Sequence, residues 1–75
     1  MVDMVELKVE FRPAPGGRAI HLWHVVHEGG STGLCGRALS PSAGTLPIAE
    51  IEELKPGNRC QACRSAYRAT LPPGG

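Results

Sequence analysis

The sequence predicts a small α+β domain, with a β-hairpin or three-stranded antiparallel sheet followed by a short helix and a C-terminal helix. Three observations predict it. Residues 4 to 12 alternate apolar and charged side chains, with Val5, Leu7, Val9 and Phe11 on one side and Glu6, Lys8, Glu10 and Arg12 on the other, which is the period of a strand with one buried face. From residue 45 onward the pattern changes to the spacing of helices. The whole chain has 75 residues with one Trp, one Tyr, one Phe, ten Gly and seven Pro, so its core is small enough that a staple such as a bound metal is expected to support it.

The elements follow in order. Pro13-Ala14-Pro15-Gly16-Gly17 breaks the first strand and turns the chain. Arg18 to His27 is β-branched and aromatic enough to return as a second strand, and the short connection makes an antiparallel hairpin. Ile20, Leu22, His24 and Val26 share one face of it, and Ala19, His21, Trp23, Val25 and His27 share the other. Both faces carry apolar residues, so both are expected to be covered, with Trp23 a core anchor. Glu28-Gly29-Gly30-Ser31 is a second turn, after which Thr32, Gly33 and Leu34 would return as a strand. Counting back across that turn pairs Val26 with Gly33, His24 with Cys35 and His21 with Ala38, and directly opposed residues share a face with Cβ atoms about 4.5 to 5.5 Å apart. Gly36 allows the tight turn after Cys35. Ser40 to Gly44 is a loop. Residues 45 to 54 read as a short helix with Pro47 in its first turn and Ile48, Ile51 and Leu54 along one face. Lys55-Pro56-Gly57 stops it, and a last helix runs from Gln61 to about Leu71. Residues 72 to 75 are a tail. A single domain spanning 1 to 75, ordered from about 4 to 71, is expected.

The chemistry lies in the cysteines. Cys60 and Cys63 are two residues apart, a spacing that lets both thiols bind one metal ion. Cys35 is the third cysteine, and His21, His24 and His27 precede it. One His and three Cys complete the tetrahedron of a structural zinc site. The register above favours His24, Cys35, Cys60 and Cys63 as the ligands of one Zn²⁺, with His21 or His27 as the alternatives to His24. A thiol-exchange pair at Cys60 and Cys63 would need a βαβ context, which this pattern does not supply. Three cysteines would also leave one thiol over in an all-disulfide framework.

The formal net charge is +1, and three thiolates with one Zn²⁺ would bring it to about zero. Every acidic residue lies at or before Glu53, while Lys55, Arg59, Arg64 and Arg68 follow it. These four are candidate phosphate or partner contacts, although the patch is milder than that of a dedicated nucleic-acid binder. Arg37, Arg59 and Arg64 also flank the cysteines, where positive charge favours thiolate. No catalytic pattern accompanies them. His27-Glu28 does not continue as a metalloprotease motif, no deaminase signature is present, and four protein ligands leave no position on zinc for water. The N-terminal residues lack the basic and apolar regions of a signal peptide, and no apolar run approaches the ~18 residues of a membrane span. A cytoplasmic, thiol-preserving environment is therefore expected.

Trp23-His24-Val25, Thr32-Gly33-Leu34-Cys35-Gly36-Arg37 and Arg59-Cys60-Gln61-Ala62-Cys63-Arg64 together resemble the small His-Cys₃ zinc-finger proteins of actinobacteria and their phages, over about residues 20 to 68. The resemblance implies a structural zinc held by a strand histidine, a Cys-Gly-Arg knuckle and a terminal Cys-x-x-Cys. Ligands delivered by a hairpin and by a knuckle opening a helix also resemble a treble clef or zinc ribbon. The function expected is a non-enzymatic zinc-stabilised interaction module that contacts a protein partner or a second copy of itself, because the first strand pair offers more apolar face than so small a core needs. Nucleic-acid binding through the basic C-terminal helix is the alternative. A sulfur-carrier role for the Gly74-Gly75 end is a remote one, since it would require a β-grasp fold. No membrane association is expected.

Overall fold

The computed structural model describes residues 4–13, 15–17 and 19–71. Strands β1 (Val5–Pro13) and β2 (Ala19–His27) form the expected antiparallel hairpin, paired from Val5 opposite His27 to Pro13 opposite Ala19. Gly16 and Gly17 in its connection have φ of 87° and 77°, a region glycine enters without the Cβ clash that penalises other residues. β1 is the central strand. Its second edge pairs with β3 (Thr45–Pro47), giving the order β2-β1-β3.

This third strand corrects the expected helix over 45 to 54 and the expected third strand at residues 32 to 34. The β1 ladder recruits the chain at Gly44, whose carbonyl accepts the Val9 amide at 3.1 Å. Pro47 remains extended at φ −59° and ψ 145°, which an edge strand tolerates because one of its ladder positions needs no N–H. The turn of helix that follows, Ile48–Glu53, is a 3-10 helix rather than an α-helix. At three residues per turn, Ile48, Ile51 and Leu54 line up on one side and pack on the core. Their strict three-residue repeat is the signature of that tighter helix. A second short 3-10 turn, Pro56–Asn58, leads into α1 (Gln61–Ala69), which ends two residues earlier than expected.

The core lies on one face of the sheet, where Leu7, Val25, Ile51 and Cys63 are buried and Val5, Trp23, Leu34, Leu46, Ile48, Leu54, Cys60 and Tyr67 pack against them. The opposite face was expected to be covered over β2 but solvated over β1. Instead Lys8 is buried on it beside His24 and Val26. Lys8 escapes an unpaired burial because Nζ donates to the carbonyls of Pro41 and Ala43 at 3.1 and 3.3 Å, so the segment after β2 closes over this face. That segment holds only isolated bridges, Val26 with Gly33 and Thr32 with Ala38. The Val26–Gly33 pairing agrees with the counted register. The His21–Ala38 pairing does not form, since the chain reverses at Cys35-Gly36 and returns Ala38 to Thr32. His21 is paired with Phe11 instead. The far end of the hairpin is uncovered, with Phe11 60% and Ile20 43% exposed. Among the described residues no helix is long and apolar enough to cross a membrane.

Candidate metal centre

Three segments converge on the buried end of β2. The first is β2 itself, whose alternation turns His24 onto the face shared with Lys8 and buries it to 1% exposure. The second is the knuckle. The Leu34 amide donates to the Val25 carbonyl at 2.8 Å, the Gly36 amide to Gly33 and the Gly33 amide to Arg37, both at 2.8 Å, and Gly36 takes φ 93°. That conformation returns the chain immediately after Cys35. The third is the start of α1. The Cys60 amide donates to the Trp23 carbonyl at 2.9 Å, which fastens the helix start to β2. Cys60 is the N-cap of α1, and its Sγ accepts the Cys63 amide at 3.5 Å. An N-cap thiol sits where the helix dipole favours negative charge.

Sulfur and nitrogen meet closely at this junction. His24 Nδ1 lies 3.6 Å from Cys35 Sγ and 3.5 Å from Cys63 Sγ. One donor atom from each of His24, Cys35, Cys60 and Cys63 lies within 4.8 Å of all the others, so the four could hold a metal ion. The donor set tests the fit. A tetrahedral ion with metal–nitrogen and metal–sulfur bonds of about 2.05 and 2.3 Å spaces nitrogen from sulfur by about 3.5 Å. Gly33 makes the approach feasible, because a Cβ there would lie 3.2 Å from Cys63 Sγ and 3.4 Å from both Cys35 Sγ and His24 Cβ.

The thiols are not equivalent. Burial pushes the Cys63 thiol up to about 12, and the neighbouring Cys60 and Cys35 side chains add to the effect despite backbone bonds that oppose it. For Cys35, burial also works to raise the value, but hydrogen bonds from the Arg37 backbone, from Cys63 and Cys60 and from its own amide outweigh it and hold the thiol below its ordinary range.

Glu10 is the residue the sequence reading missed. Its carboxylate Oε1 lies 2.7 Å from His24 Nε2, and Oε2 accepts Arg37 Nη2 and Nε at 2.7 and 2.8 Å. Burial tends to raise its carboxyl, yet the hydrogen bonds from His24 and Arg37 and the charges of Arg12 and Arg37 hold it below the usual 4.5. The hairpin pattern contained the signal. With Lys8 opposite His24, Glu10 is two residues along on the same face, which is the diagonal neighbour across a strand pair.

The remaining candidates fall away from the junction. His21 and His27 are exposed. The His21 ring meets Phe11 edge-on with centroids 4.7 Å apart, and the His27 carbonyl accepts the Gly30 amide in the turn. Arg37 supports Cys35 through its backbone, while its side chain, expected to face the cysteines, pairs with Glu10. Arg59 and Arg64 both turn to Glu52, at 3.6 and 3.5 Å, and Arg59 also donates to the Ile51 carbonyl. Their side chains are only 12% and 24% exposed, so of the four basic candidates Lys55 and Arg68 alone stand open to solvent. Gly74-Gly75 lies outside the described residues.

Comparison of the chain with protein-family models, with curated proteins and with solved structures gives no match.

Proposed function

We propose that this protein is a non-enzymatic, zinc-stabilised interaction module in which His24 Nδ1 and the thiolates of Cys35, Cys60 and Cys63 hold one structural Zn²⁺. The observation that carries the reading is the convergence of one imidazole and three thiols from three separate segments, with His24 Nδ1 at the edge length of a zinc tetrahedron from the sulfurs of Cys35 and Cys63. Zinc is preferred to harder or redox-active ions because thiolate and imidazole donors in a tetrahedral set suit it. A knuckle on one side and a helix N-terminus on the other supports a treble-clef-like or ribbon-like finger, in keeping with the resemblance to actinobacterial and phage His-Cys₃ proteins. Four protein ligands leave the ion no open position for substrate or water, which supports a scaffold over an enzyme.

The partner proposed is a protein or a second copy of the chain. Phe11 and Ile20 expose apolar surface at the hairpin end, whereas Glu52 engages two of the four basic side chains that a phosphate backbone would need. The test of the metal reading is native against denaturing mass spectrometry, with metal analysis, on protein purified without added zinc. One zinc per folded chain, lost on denaturation with about three thiol protons regained, is the expected result. A metal-free chain with a Cys60–Cys63 disulfide would overturn it.

A further inference from the structure

We infer that Glu10 is the positioning residue of the metal centre: its carboxylate holds His24 with Nδ1 turned toward the ion and ties that ligand to the Cys35 knuckle through Arg37. The inference rests on the zinc reading above and assigns to β1 a part in a site whose four ligands all come from other segments.

An imidazole offers two nitrogens, and the bond made by one decides the role of the other. Nε2 of His24 is 2.7 Å from Glu10 Oε1, so Nε2–H donates there and Nδ1, the nitrogen 3.5 and 3.6 Å from two cysteine sulfurs, is left with a free lone pair. A carboxylate accepting that proton also makes the ring a stronger donor to the metal. The second carboxylate oxygen receives Arg37 as a two-pronged fork at 2.7 and 2.8 Å. Arg37 is two residues past Cys35, and its carbonyl accepts the amide of Gly33, the residue that lies against the sulfurs of Cys63 and Cys35. One side chain, itself 13% exposed, therefore orients the histidine ligand and braces the knuckle that delivers a cysteine. Arg12, whose Nε reaches Oε1 at 3.3 Å, is half exposed and contributes mainly countercharge.

Zinc affinity measured by competition with a chromophoric chelator at pH 7, in the wild type, Glu10→Gln, Glu10→Ala and Arg37→Ala, tests this, together with nitrogen-detected NMR of the His24 ring. Glu10→Ala is expected to weaken zinc binding roughly 10- to 100-fold. Glu10→Gln should fall between, since its amide oxygen still accepts the Nε2 proton without the charge. Arg37→Ala should lose less than Glu10→Ala, because the His24–Glu10 bond survives. The Nε2 proton should exchange slowly in the wild type and Arg37→Ala and rapidly in Glu10→Ala, a difference that a merely structural ion pair would not produce. Equal zinc affinity in wild type and Glu10→Ala would overturn the inference, as would a slowly exchanging Nε2 proton in Glu10→Ala. Should Glu10→Ala fail to fold under saturating zinc, Glu10→Gln decides: reduced affinity supports the inference and unchanged affinity overturns it. A wild type that takes up no zinc removes the metal reading itself and this inference with it, whereas a zinc-binding wild type matched by its Glu10 variants removes only the inference.

Discussion

At the residue scale, the four donors differ in exposure, yet each is expected to be indispensable. Cys63 and His24 are almost fully buried, while Cys35 is exposed at the knuckle. Cys35→Ser, Cys60→Ser and Cys63→Ser are each expected to give a chain that circular dichroism reports as unfolded or aggregated, and His24→Ala should behave likewise. His21→Ala and His27→Ala should melt within about 0.5 kcal/mol of the wild type, as exposed side chains away from special features do. Equal tolerance at all three histidines would remove imidazole from the site. The thiols also set the pH dependence. The folded value of Cys63, raised from 9.0 to about 12, means that its proton stabilises the metal-free arrangement below pH 9 and that this contribution is lost as pH rises toward 12. Metal must therefore displace that proton. Between about pH 6.5 and 8, below the ordinary thiol range, the logarithm of zinc affinity should rise with pH, because thiol protons leave as the metal binds. Chelator competition across that interval measures it, and a flat profile would exclude three thiolate ligands.

At the scale of elements, the site depends on how closely the knuckle can approach β2. Gly33 bridges Val26 and has no side chain to hold the sulfurs apart. Gly33→Ala should place a methyl group within 3.2 Å of Cys63 Sγ, less than ordinary contact, so the ligands must spread. The expected cost is about 1–3 kcal/mol, read as weaker zinc retention, and a variant that retains zinc as well as the wild type would show that the knuckle relaxes freely. The same scale explains the misread segment at residues 45 to 54. Glutamates, a proline and three aligned aliphatics are compatible with an α-helix by propensity. What decides otherwise is the open edge of β1, where Gly44 and then Thr45–Pro47 find ladder partners, leaving only Ile48–Glu53 for the helix, which forms as 3-10.

At the scale of the whole molecule, the ion would do what the core cannot. The four residues of the buried cluster are few, and one of them is Cys63, so the apolar core and the metal site are a single structure. Removal of zinc by a strong chelator is expected to abolish the cooperative thermal transition, because structural zinc typically contributes about 10–16 kcal/mol of apparent binding free energy to so small a fold. A chelated protein that still melts cooperatively near the temperature of the loaded form would contradict this. Partner choice is also a property of the whole surface. Binding carried by the hairpin end should be lost in Phe11→Ser and vary little with salt. Binding carried by Lys55 and Arg68 should fall steeply between 50 and 200 mM salt, as phosphate contacts do.

Much of this protein was determined by the sequence alone. The alternation from Val5 to Phe11, the Pro-Gly break and the β-branched return produce the hairpin, because a period of two has only one regular backbone that buries it. The counted turn at Gly29-Gly30 brings His24 toward Cys35 for the same reason, and the Cys60-x-x-Cys63 spacing already brings two thiols to one point. Tertiary structure decided the rest. Glu10 acquires its place only when β1 lies beside His24 and the knuckle brings Arg37 across. Lys8 is buried because a later segment supplies two carbonyls for its ammonium, and Arg59 and Arg64 converge on Glu52. Each is a polar group whose position depends on a distant partner, and local periodicity carries no record of such partners.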